Sequence, residues 1–146
     1  MEAISAPDSL WEVAGRLGLA TLLGAGIGLN REWLRKPAGL RTNALVALGG
    51  ALFTIIGLLL NARDLTSASR ILQGVAAGIG FLGAGVIMRR PESSDVQGLT
   101  TAAAIWIVSA IGIAVGAGLW RTSVIALGIG LFVLIIGEAV DRLMRR

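Results

Sequence analysis

The sequence predicts an all-α fold: a polytopic membrane bundle of five transmembrane helices in one domain, residues 1–146. Three observations predict it. Hydrophobic residues make up 55% of the chain and charged residues only 15%, where a soluble domain carries about 25%. The charge that remains gathers at the junctions between apolar runs, as a bilayer demands. There are 21 glycines, mostly inside those runs, where small residues let helix backbones approach closely.

Taken in order, the spans cover about residues 10–29, 43–60, 71–88, 99–118 and 123–137. The first carries Glu12 and Arg16 one helical turn apart, a pair that lowers the cost of both charges near a membrane surface. Ala20, Gly24 and Gly28 form a small-residue stripe on it, a packing face. The second span is almost free of charge. The third holds Gln73 and five glycines, among them Gly74 and Gly78, which places it at the centre of the bundle. The fourth repeats the small-residue spacing at Gly112 and Gly116. The fifth ends in a charged tail where Glu138 can pair with Arg142.

Five spans put the termini on opposite sides. With the N-terminus outside, nine basic residues face inward and four outward, so the positive-inside bias selects N-out and C-in. Trp11 and Trp120 then lie at the outer interface and Trp33 at the inner one, while Trp106, near mid-span, is expected to pack inside. The net charge of +4 reads as membrane orientation and not as nucleic-acid binding, because the basic residues flank spans.

A shift of 59 residues aligns the chain with itself. Over the 43 positions from Gly15 to Gly57 there are 12 identities, among them Arg31 with Arg90, Gly39-Leu40 with Gly98-Leu99, and Thr42 with Thr101. Two spans per copy make the repeat parallel, with the fifth helix as an addition. The two inner loops then lie side by side.

Those loops hold the candidate site. Arg31, Arg35, Lys36, Arg41, Thr42 and Asn43 in the first, with Arg90, Thr100 and Thr101 in the second, form a candidate surface for an anion, an anionic lipid or a membrane partner. Gly39 or Thr42 begins the second helix, whose first N–H groups are free. The plain alternative makes Thr42 and Thr101 ordinary N-caps and the basic residues topological anchors. Glu32 and Asp95 are the metal candidates, since magnesium takes carboxylate oxygens. Glu32, however, is outnumbered by bases and is expected to pair with Arg35, Lys36 or Arg41. Gln73 and Ser109 are the intramembrane polar residues, expected to bond between helices. With no cysteine or histidine, and no buried acid pair, no catalytic constellation and no cofactor are expected.

Four segments together resemble the MgtC/SapB family of bacterial inner-membrane proteins. They are Gly28-Leu29-Asn30-Arg31-Glu32, the run from Ala38 to Val46, the run from Gly78 to Ile87, and the run from Gly98 to Ala103. The resemblance implies a non-enzymatic regulatory membrane protein, linked to magnesium limitation, acid stress and survival in host cells, and in one branch to restraint of the proton-driven ATP synthase. Asn30 stands where the family usually has an acid and Gln97 where it usually has arginine. The chain ends soon after the fifth span, so a short SapB-type form without the soluble C-terminal domain is expected. Glycine-rich faces suggest a homodimer. The alternative function is a channel or transporter for magnesium, another cation or a small solute.

Overall fold

The computed structural model describes residues 4–60, 65–89 and 96–144, with the side chains of 65–68 and 88–89 excepted. Among the described residues, five helices, each long and apolar enough to cross a membrane, run in alternating directions. They are α1 (Leu10–Trp33), α2 (Leu40–Leu60), α3 (Leu65–Val86), α4 (Leu99–Gly116) and α5 (Trp120–Met144). A two-residue ribbon joins α3 to α4: β1 (Met88–Arg89) pairs antiparallel with β2 (Val96–Gln97), Met88 opposite Gln97.

The helices overrun the expected spans at several ends. Helix α1 continues to Trp33, α2 begins at Leu40, and α5 reaches Met144. Hydropathy marks only the stretch that must sit in hydrocarbon, whereas the hydrogen-bond ladder continues until a residue stops it.

Each end has a local cause. Ser9 caps α1, its hydroxyl accepting from Glu12 N–H at 3.2 Å, and the Glu12 carboxylate accepts from Asp8 N–H at 2.9 Å. At the other end Arg35 N–H bonds to Glu32 O and Lys36 N–H to Arg31 O, a Schellman cap with Arg35 at φ 53° in the left-handed position. Pro37 then forbids a return to helix. Helix α2 starts from Gly39, whose carbonyl takes Asn43 N–H, and the Glu32 carboxylate accepts from Leu40 N–H at 2.8 Å. Gly98, at φ 93°, opens α4; a side chain there would run into the Val86 carbonyl.

The core lies where α1, α2 and α4 meet, around Ala20, Leu23, Ile27, Ala47, Ala51, Val108 and Val115. Glycine sets the helix spacing there. A Cβ on Gly24 would sit 2.6 Å from the Ala47 Cβ, and one on Gly28 would sit 2.6 Å from the Leu40 Cα. Gly112 abuts the Ala47 backbone, and a Cβ on Gly116 would lie 2.6 Å from the Ala51 carbonyl. Helices α2 and α4 therefore run parallel, backbone against backbone. Gly24 faces Asn43, and Gly83 faces Ala102, each member of the second pair lying 59 positions beyond its counterpart in the first.

The central helix is α4, not α3, which corrects the sequence expectation. Helix α4 buries residues along its whole length, including Thr101, Ile105, Val108, Ser109 and Ile111. Helix α3 lies at the periphery, with Ile79 its buried large side chain, and Gly74, Gly78, Gly80 and Gly85 face open space. Glycine content signals that something comes near a backbone, but not that the something is another helix of the same chain. Trp106 is likewise 54% exposed and faces outward from the bundle, not inward as expected. Outward-facing Phe81, Phe132, Ile129 and Leu22 cover the helices with apolar surface on a scale that suits hydrocarbon and not water.

Candidate functional site

The end of the bundle carrying the α1–α2 loop collects the polar residues singled out from sequence, and it sorts them into three places. The first is a buried junction. Arg31 is 4% exposed and its Nη2 donates to Thr101 Oγ1 at 2.8 Å. Asn43, fully buried, donates through Nδ2 to the carbonyls of Ala38 and Gly39 at 2.5 and 3.0 Å. Arg31 Nε, Asn30 Oδ1 and Asn43 Oδ1 are buried without a hydrogen-bond partner among the described residues. Thr101 therefore does not cap α4 and Thr42 does not cap α2. Gly98 and Gly39 open those helices, and the threonines fall inside the first turn.

The second place is a polar vestibule of about 420 Å³ walled by Glu32, Arg35, Lys36, Gly39, Arg41 and Thr42. Glu32 does not pair with the neighbouring bases as expected. Its carboxylate is taken by the Leu40 N–H, one of the donors that the start of α2 leaves free. Lys36 reaches instead to Glu138 on α5 at 3.0 Å, and Glu138 also holds Arg142 at 3.4 Å. Among the described residues no carboxylate pairs with Arg35 or Arg41. The vestibule is therefore net cationic.

The third place is an apolar slot of about 800 Å³ between α2 and α3, backed by α4. Gly49 and Phe53 line one wall, Gly74 and Gly78 the other, and Arg41 and Thr42 stand at its mouth, where it meets the vestibule. Ser109 lies in the back wall, 3% exposed, and its hydroxyl has no hydrogen-bond partner. It does not bond between helices as expected. Gln73 is exposed on α3, and Thr100 is exposed at the start of α4. Arg90 and Asp95 lie outside the described residues. Among the described residues no group of three acidic, histidine or cysteine side chains converges for a metal.

At the opposite end Arg16, 8% exposed, ties three segments together. Its Nη1 donates to Ser5 O at 2.7 Å and Gly116 O at 2.8 Å, and its Nη2 donates to Ser5 Oγ at 3.0 Å and to Glu12. The Glu12–Arg16 pair was legible from spacing. The reach to Gly116, which closes the C-terminus of α4, was not, and neither was Glu138 as the partner of Lys36.

Five apolar spans with a polar, cationic end define a multi-pass membrane protein of the α-helical class. The profile of the MgtC family matches residues 17–143, and the chain belongs to that family. It is similar to protein SrpB of Synechococcus elongatus, 45% identical over 127 residues, covering 80% of this chain and 70% of that one. It is also similar to protein MgtC of Salmonella typhimurium, 52% identical over 97 residues, 66% of this chain and 40% of that one. Protein MgtC of Brucella abortus is 43% identical over 108 residues, 74% of this chain and 44% of that one. The chain thus spans less than half the length of these MgtC relatives. No solved structure matches it.

Proposed function

We propose that this chain is a non-enzymatic regulatory protein of the bacterial inner membrane, oriented N-out and C-in, that acts through its cytoplasmic vestibule on an anionic membrane partner. The observation that carries the reading is the vestibule itself. Arg35 and Arg41 present guanidinium groups with no carboxylate paired to them among the described residues, beside Glu32, whose carboxylate accepts the Leu40 N–H. The chain's place in the MgtC family, through the resemblance to MgtC/SapB proteins, implies adaptation to magnesium limitation or acid stress as the setting, and in one branch of the family restraint of the ATP synthase.

Pull-down from native membranes tests it, with Arg41→Ala as the comparison. The wild type is expected to recover a membrane partner that the variant loses, and its expression to shift cellular ATP or membrane potential. Equal background recovery and unchanged energetics would overturn the reading. Orientation is separable, because the chain has no native cysteine. A cysteine replacing exposed Trp11 should label with an impermeant maleimide in spheroplasts, and one replacing Arg35 only after permeabilisation. A cation or solute pathway is the competing reading, and flux of magnesium or protons in proteoliposomes would favour it. The apolar walls of the slot between α2 and α3 suit a hydrated ion poorly.

A further inference from the structure

We infer that the slot between α2 and α3 holds one anionic phospholipid, its headgroup in the vestibule and its chains between the two glycine-bearing helix faces. The inference is independent of the regulatory reading, since a channel could carry the same lipid.

Shape comes first. At the far end of the slot the Ile71 side chain lies against Gly57, where an added Cβ would collide with it, so α3 closes onto α2. At the near end Gly83 meets Ala102 of α4, an added Cβ lying 3.4 Å away. Helix α3 thus meets α2 at Gly57 and α4 at Gly83, and between them it stands off from α2 while Ile79 stays packed toward α4. From Thr42 to Phe53 the wall runs about 17 Å along α2. Over that length Gly49, Gly74 and Gly78 have nothing within 4 Å of where a Cβ would be. Ile71 narrows the slot at its apolar end and the other end opens into the charged vestibule, the polarity of an amphiphile.

Charge selects the guest. Arg41 belongs to both cavities and has no acidic partner among the described residues. Arg35 stands in the same vestibule, whereas Lys36 there is already paired with Glu138. An anionic headgroup is attracted there and a zwitterionic one much less.

A second copy of the chain fits less well. Two copies inserted the same way round would bring their cationic vestibules together on one face, like charge against like.

The glycines give a clean test. A Cβ at position 78 or 49 would enter the slot with no protein atom within 4 Å, so leucine there is expected to occupy it. Gly128, on α5 and also in open space, provides the control. The full chain would be purified in mild detergent, delipidated, and titrated with phosphatidylglycerol or phosphatidylcholine, with bound lipid counted by native mass spectrometry. One phosphatidylglycerol per chain is expected. Phosphatidylcholine should bind at least about fivefold more weakly, and Arg41→Ala should weaken phosphatidylglycerol by about fivefold, the factor one basic residue contributes near an anionic surface. Gly78→Leu and Gly49→Leu should abolish retention, and Gly128→Leu should leave it intact. Circular dichroism confirms that the variants fold, and the two slot variants, on opposite walls, back each other up. Equal retention of both lipids with no effect of Arg41→Ala would overturn the inference. So would lipid retained by both slot-filling variants, or full displacement by inorganic phosphate, which would mark a free-anion site. A lipid-free dimer that Gly78→Leu splits would make the slot a seam between copies instead.

Discussion

The Arg31 guanidinium donates to Thr101 Oγ1 at 2.8 Å, joining the last turn of α1 to the first turn of α4. The two partners are not equally replaceable. Thr101→Val would leave a buried cation with fewer hydrogen bonds, at a cost of about 2 kcal/mol. Arg31→Met would remove the charge along with its need for a partner, and should cost less than about 1 kcal/mol. Denaturant unfolding in micelles should therefore rank Thr101→Val as the worse single change. Adding Arg31→Met to it should restore stability, and a purely additive result would remove the coupling.

Arg16 is expected to resist even a conservative change. Its guanidinium serves Ser5, Gly116 and Glu12 at once, a fork that a lysine ammonium cannot reproduce. Arg16→Lys should lose about 2 kcal/mol. The same variant should free the segment around Ser5, so that protease added to the N-terminal side of proteoliposomes removes an N-terminal tag faster than from wild type. Unchanged cleavage would mean that Ser5 is held by its backbone bond to Ala117 O alone.

How much of this was legible follows from which signals are local. The five apolar helices were legible in composition, although helix ends were not, because Schellman and glycine caps lie beyond the apolar runs. Gly24, Gly28, Gly112 and Gly116 were recognisable as packing positions from their spacing. Gly74 and Gly78 share that spacing but border a slot, since a glycine pattern records close approach or empty space alike. The cationic loop was evident as a cluster. Its division into a buried Arg31 and an open Arg35 and Arg41 depends on where α1 ends, as does the capture of Glu32 by the start of α2. Lys36 to Glu138 and Arg16 to Gly116 span most of the chain, and no pattern within a single helix encodes them.

Gly112 and Gly128 should respond in opposite ways to one substitution. Leucine at 112 must force the Ala47 backbone away and separate α2 from α4, costing about 3 kcal/mol. Leucine at 128 enters open space and replaces a poor helix former, a gain of up to about 1 kcal/mol. Thermal melting of the two variants in detergent reads the contrast. Similar melting temperatures would mean that the seam between α2 and α4 is looser than its contacts imply.

Arg35 occupies a left-handed position that glycine takes without strain, and its side chain has no ion-pair partner among the described residues. Arg35→Gly should therefore raise stability by about 1 kcal/mol while removing one positive charge from the vestibule. A higher melting temperature together with weaker anion binding would show that a strained residue is retained at the vestibule for its charge. A lower melting temperature would show that Arg35 is held by contacts worth more than the strain.

An odd number of alternating helices cannot cancel its macrodipoles. Three helices, α1, α3 and α5, end at the loop face, and only α2 and α4 begin there. That leaves roughly half an elementary negative charge uncompensated at that face. Arg31 in the last turn of α1 and Arg142 in the last turn of α5 stand where it falls. Part of the positive charge at this end thus neutralises the field of the bundle's own backbone, and only the remainder, centred on Arg35 and Arg41, is free to act on anything outside it.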